Sequence, residues 1–155
     1  MRRKHTTQKN FALCGIVGWC LEIIFTSAHS FQAKDMRLMG QTSLWMFPIY
    51  GMAACIKDIY PRICRWPMLC RGSLYSVGIL SCEFISGSIL KKLHICPWDY
   101  SAAKYNVQGV IRVDFFPLWM AAGLLFEWIL CGREGHAKTS TDTGKINAAA
   151  RNSYL

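Results

Sequence analysis

Charge is what this chain has least of. Asp, Glu, Lys and Arg make up 17% of its 155 residues, against roughly 25% in ordinary soluble domains. Acids number only nine, half of the 18 Lys and Arg, which leaves a formal net charge of +9. With 52% hydrophobic residues, such a composition excludes a disordered chain, a collagen and a coiled coil. Several motifs are missing as well. The eight cysteines form no C-x-x-C pair and no Cys/His metal spacing, so no metal and no cofactor are expected. No G-x-x-x-x-G-K-[ST] phosphate loop is present, which removes that route to ATP hydrolysis. A Ser/His/Asp arrangement is absent too, and the chain is not expected to be an enzyme.

Long apolar runs are what it has instead. Phe11 to Ser27 carries one charge, Glu22, and Gly72 to Leu90 carries one, Glu83. Ser43 to Ile56 is shorter and is interrupted by Pro48 and Gly51, and Gly109 to Leu130 holds Arg112, Asp114 and Glu127 towards its ends. A surface helix of a soluble protein needs a solvated stripe at helical period, and the first and third runs offer almost none. The 19 residues of the third run make about 28 Å of helix, enough for the hydrocarbon core. The fold class expected is therefore all-α: a polytopic bundle of four transmembrane helices at about 11–27, 43–59, 72–90 and 109–130. The second is the least regular and must recruit flanking residues, thin the bilayer or be re-entrant. Residues 1–131 form the membrane domain and 132–155, polar and without hydrophobic period, a flexible cytoplasmic tail.

The basic residues set the orientation. With four spans, both termini share a side with the loop between spans two and three. That side holds twelve Lys and Arg, among them Arg2, Arg3, Lys4, Lys57, Arg62, Arg65 and Arg71, and the other side holds five. Both termini are expected in the cytoplasm, in a multi-pass protein of the cell membrane. Topology and anionic headgroups account for the positive charge, so nucleic acid is not an expected partner. Trp19 and Glu22 interrupt what would otherwise resemble a secretory signal, which favours an uncleaved first helix. Arg71, at the entry of the third span, is expected to snorkel to headgroups.

Acids inside apolar helices are costly and mark function by default. Glu22 and Glu83 each stand eleven residues into their runs, about 16 Å along parallel helices. As neighbours they would share one low-dielectric site suited to a proton or a cation. The alternative is that each is neutral or hydrogen-bonded and only fixes helix packing. Gly87, one turn beyond Glu83, is expected to admit a close helix. In Phe47 to Gly51, Pro48 and Gly51 either kink the span or free backbone groups for a substrate. Trp119 falls near mid-depth, as a packing or pocket-lining indole. Trp98, Asp99, Tyr100 and Ser101, followed by Asn106, form an outer-loop motif. There the aromatic rings anchor at headgroup level or fold over a pathway, and Asp99 with Ser101 makes a turn.

With GW-x-x-E at Gly18, Trp19 and Glu22, PIYG at Pro48 to Gly51, E-x-x-x-G at Glu83 and Gly87, and WDYS at Trp98 to Ser101, then Asn106 and Gly109, the chain resembles a bacterial family. It is the putative ABC-transporter type IV, or CmpB-like, membrane proteins, and the resemblance covers about residues 11–130. Met52 and Ala53 depart from the pattern usual after PIYG. The resemblance implies a permease-type subunit of unknown substrate in the inner membrane, with its ATPase on a separate chain. Four spans are few for a pathway, so the partners expected beside the lipid bilayer are further copies of the chain or other membrane subunits. The alternative is a non-catalytic membrane assembly or regulatory protein. A lipid-modifying enzyme using Asp99 ranks last, for want of any metal or phosphate-handling cluster.

Overall fold

A computed structural model describes residues 2–32 and 34–132. Five α-helices follow in order: α1 (Arg2–Gln32), α2 (Met46–Gly51), α3 (Ile56–Ile63), α4 (Met68–Lys92) and α5 (Phe116–Glu127). A 3-10 turn, Met52–Cys55, joins α2 to α3, another, Val113–Phe115, leads into α5, and a π-helical turn, Trp128–Gly132, ends it. Among the described residues three stretches are long and apolar enough to cross a membrane: Thr6–Ala28, Met68–Lys92 and Val113–Gly132. They correspond to the first, third and fourth expected spans. The polar tail expected at 132–155 lies outside the described residues apart from Gly132.

The second expected span is a broken rod. From Met46 to Ile63 every junction keeps right-handed helical dihedrals, so 18 residues run on for about 27 Å. Pro48 neither kinks it nor frees a carbonyl at depth. It lies in the first turn of α2, where a backbone N–H has no helical partner to lose. The tightening comes after Gly51.

Two antiparallel pairs build the bundle. Along α1 and α2, small residues on one helix receive rings from the other. A Cβ on Gly15 would come within 2.7 Å of the Phe47 ring, one on Gly51 within 2.6 Å of Phe11, and one on Gly18 would run into Tyr50. Along α4 and α5, Gly72 faces Met120 and Leu124, Gly123 faces Tyr75, and the Ser76 hydroxyl donates to the Phe116 carbonyl at 2.9 Å. Cys14, Ala54, Ile56, Ile63, Tyr75, Phe126 and Leu130 join the pairs in one buried cluster.

The fourth run turns helical only from Val113, because residues 106–112 fold as a hairpin of β1 (Asn106–Val107) and β2 (Ile111–Arg112). Gln108 and Gly109 at its tip both have positive φ, 54° and 67°, as a type I′ turn requires. Hairpin and preceding loop lie over the end of the bundle where α1 and α4 finish: Trp98 and Val110 sit against Gly87, and Phe115 packs edge-on to Phe25, centroids 5.5 Å apart.

The polarity of the bundle is inverted. Ile24 on α1 and Ile85 on α4 are 65% and 61% exposed, while Ser76 and Glu83 on α4 are 0% and 4% exposed. Apolar side chains line the outside of these helices and polar ones the inside. Hydrocarbon as the surrounding solvent explains that order, and water does not.

Candidate functional site

On α4 the buried residues Gly72, Ser76, Glu83, Gly87 and Leu90 recur at helical spacing and make one inward stripe. The small members of that stripe let α5 and the hairpin close in, and Glu83 is carried inside with them. Among the described residues its Oε2 has no hydrogen-bond partner, and neither has the buried Trp119 Nε1 on α5 or Ser88 Oγ on α4. The Glu83 carboxyl and the Trp119 indole interact electrostatically, although neither orphaned atom is hydrogen-bonded. Native interiors leave few polar groups in that condition.

The facing wall comes from α1 and α2. Tyr50 stacks at a tilt near Trp119, centroids 6.4 Å apart, and lies in the field of both Glu83 and Glu22. Gly18 is what admits the Tyr50 ring. Glu22 is half-buried and accepts a 2.5 Å hydrogen bond from the Thr42 hydroxyl. It interacts with Glu83 through space, without a hydrogen bond between the two acids among the described residues. One turn down α1, the Trp19 indole donates to the Ser43 carbonyl at 3.0 Å and packs 5.0 Å from Phe47. Trp19 therefore fastens the chain entering α2, with Gly51 and Pro48 shaping that segment rather than touching Glu83.

The outer-loop motif divides by chemistry. Asp99 Oδ1 accepts from the Ser101 N–H at 3.0 Å and its hydroxyl at 2.6 Å, with Lys91 3.8 Å away. Those Ser101 bonds, then Lys91, hold the Asp99 carboxyl below its usual range. Asn106 accepts from the Gly109 N–H at 2.9 Å and donates to the Ala103 carbonyl at 2.6 Å. These residues fold the loop. The aromatic pair it carries packs against the bundle and is half-buried. Trp98 lies over Gly87 and donates to the Val110 carbonyl at 2.9 Å. Tyr100 turns inward beside Phe115, centroids 6.0 Å apart. Burial, then the nearby Glu83 and Glu22, pushes its phenol pKa up. The structure thus brings Tyr50 beside Trp119 and couples Glu83 and Glu22 electrostatically to Tyr50 and Tyr100, while Asp99, Ser101 and Asn106 bond within the loop.

A second polar node was missed by sequence reasoning. Arg71 does not snorkel to headgroups. It grips Glu127 with two parallel bonds of 3.0 Å, and its third nitrogen donates to the Trp66 carbonyl at 2.8 Å. The Tyr75 hydroxyl adds 2.6 Å to Glu127 Oε2. Arg71 opens the third run and Glu127 closes the fourth, so equal depth on antiparallel neighbours was the available signal. The planar guanidinium matches a carboxylate fork better than it matches scattered lipid phosphates.

These features define an α-helical membrane protein whose inward face carries an unpaired acid among aromatic rings. The family model described as "Putative ABC-transporter type IV" matches residues 9–148, and the chain belongs to that family. No solved structure matches it.

Proposed function

We propose that this chain is a permease-type subunit of a membrane transporter, multi-pass in the cell membrane, with both termini cytoplasmic and Met46–Ile63 as a fourth, broken crossing. The observation that carries the reading is Glu83: a carboxyl 4% exposed, in a helix fit to span hydrocarbon, with an oxygen left unpartnered. Intramembrane acids are retained at a cost where a pathway or site needs them. The membrane domain comprises residues 1–131. With no phosphate loop of its own, the chain takes its energy from a nucleotide-hydrolysing partner and completes its pathway with further copies or other membrane subunits. It performs no covalent chemistry. The alternative, a non-catalytic assembly or regulatory protein, draws on the hydrogen bond that already occupies Glu22.

The test is native purification followed by ATP-driven uptake into proteoliposomes. Wild-type complex should accumulate solute, and Glu22→Gln with Glu83→Gln should abolish uptake while elution and melting stay unchanged. Undiminished uptake in the double variant refutes the reading. A stable partner complex without any uptake supports the assembly role.

A further inference from the structure

Between α1 and α2 the chain runs back beside α1, without helix or turn from Leu38 to Ser43. Four contacts fix its course. Ser30 Oγ donates to the Met39 carbonyl at 3.1 Å. Thr26 Oγ1 accepts from the Gln41 N–H at 2.9 Å and lies 3.1 Å from its carbonyl. The Thr42 hydroxyl donates to Glu22 at 2.5 Å, and the Trp19 indole to the Ser43 carbonyl at 3.0 Å. From Ser30 to Trp19 the helical partners descend about 16 Å while the segment advances from Met39 to Ser43. Only an extended chain, at about 3.3 Å per residue, approaches that pace. Gly40 lets it lie flush, since a Cβ there would come within 2.6 Å of the Ile23 carbonyl.

Trp19, Glu22 and Thr26 all belong to Thr6–Ala28, the stretch of α1 fit to cross a membrane. The segment therefore stands at hydrocarbon depth, about 9 Å below Ala28 at the level of Glu22. In an extended chain, alternate residues turn their N–H and C=O to opposite sides. Met39, Gln41 and Ser43 turn theirs to α1, which leaves those of Gly40 and Thr42 facing away. Among the described residues none of these four groups has a hydrogen-bond partner, and the side chains of Gln41 and Thr42 are exposed.

Lipid does not accept open, non-helical backbone at that depth; only protein or water can stand against it. A helix of another subunit has its own backbone groups already bonded and offers no row of donors and acceptors. Water offers both, and the neighbouring side chains suit it. Glu22, Thr26 and Ser30 recur at one-turn spacing along α1, opposite Gln41 and Thr42. We propose that this strip lines a water-filled inlet, open where α1 ends and reaching down to the Glu22 carboxyl, which gives water and small hydrophilic solutes access to that acid. The inference rests on the membrane setting of α1 and not on the permease reading.

Thiol accessibility and residue-resolved hydrogen exchange, both in lipid nanodiscs, test it. A charged, water-soluble methanethiosulfonate modifies a cysteine only where water supports its thiolate. Peptide mass spectrometry reads each position separately, so the native cysteines remain in place. Gln41→Cys should react about tenfold or more faster than Ile24→Cys, although Ile24 is 65% exposed at a similar depth on α1. In the unsubstituted chain the Gly40 and Thr42 amides should exchange about tenfold or more faster than the Gln41 amide, which Thr26 holds. Gln41→Cys reacting no faster than Ile24→Cys overturns the proposal, whether lipid or another subunit covers the segment. Equal protection of the Gly40, Gln41 and Thr42 amides overturns it as well. Those failures leave a permease with another route, whereas an open inlet without ATP-driven uptake leaves the inlet and removes the permease.

Discussion

The Arg71–Glu127–Tyr75 node offers the sharpest quantitative test of how the two halves of the α4–α5 pair are held. Glu127→Leu removes both acceptors of the Arg71 fork and the acceptor of the Tyr75 hydroxyl. Breaking a fully buried ion pair from one side costs about 3–5 kcal/mol. Here the side chains are 18% and 12% exposed and Arg71 keeps the Trp66 and Cys64 carbonyls, so the lower end applies, about 3 kcal/mol. Arg71→Met strands Glu127 with Tyr75 alone and should cost a similar ~3 kcal/mol. The double variant strands neither charge and leaves one phenol to re-pair, a loss of about 1–2 kcal/mol.

The double-mutant cycle should therefore return a coupling of roughly 4 kcal/mol, and no less than about 2 kcal/mol once Arg71 relaxes towards the interface. Reversible unfolding in mixed micelles, followed by helical circular dichroism as denaturing detergent is added, measures it. Ordinary interhelical hydrogen bonds in membranes average about 0.6 kcal/mol. A coupling at or under that value would refute the claim that this node is a desolvated ion pair clamping α5 to α4.

Two further outcomes follow from the same geometry. Gly18→Ala should destabilise the bundle by about 1–3 kcal/mol, since its Cβ collides with the Tyr50 ring, a case of overpacking. Gly78→Ala, which has nothing within 4 Å, should be neutral or gain up to about 1 kcal/mol of helix propensity; the same micelle titration ranks the pair, and equal effects would refute the packing account. Asp99 supplies a pH prediction. Its folded pKa is held down by Ser101 and then Lys91, so its contribution to loop order is complete above the unfolded value, about 3.9, and is lost as pH falls through the lower folded value. Protection of the Ser101 amide against hydrogen exchange should stay flat from about pH 8 to pH 5 and drop on stronger acidification; a loss already centred near neutrality would contradict it.

What the sequence discloses here, and what it conceals, follows from the range of each interaction. The three long helices are legible because burial in hydrocarbon acts on every residue of a run, so composition alone reports it. The inward position of Glu83 is nearly legible, since Ser76 and Gly87 share its face at helical spacing. Arg71 and Glu127 are 56 positions apart, and only the antiparallel register of two helices makes them meet. Pro48 misleads for a local reason: a proline is disruptive inside a helix and harmless in its first turn, and the sequence does not mark where α2 begins. Trp98 and Tyr100 are ambiguous in sequence because an amphipathic ring suits a headgroup and a protein interior equally. Their direction is set by the Asp99–Ser101 turn, which the sequence shows, and by the bond from the Gly109 N–H to Asn106, which it does not.

The two acids of the α4–α5 pair are treated differently by the fold. Glu127 and Glu83 sit in helices of the same character, yet the chain spends a guanidinium fork and a phenol on Glu127 and leaves an oxygen of Glu83 without a partner. Two more buried polar atoms among the described residues, Ser88 Oγ and Trp119 Nε1, likewise lack a hydrogen bond. A site selected only for stability would have exchanged Glu83 for an apolar residue of similar volume, since a membrane interior repays burying hydrocarbon and penalises an unmatched charge. The unpartnered oxygen of the Glu83 carboxyl is therefore an expense to the fold, and the proposed function accounts for it. The inverted polarity of the bundle sets that carboxyl away from water, Glu83 being 4% exposed.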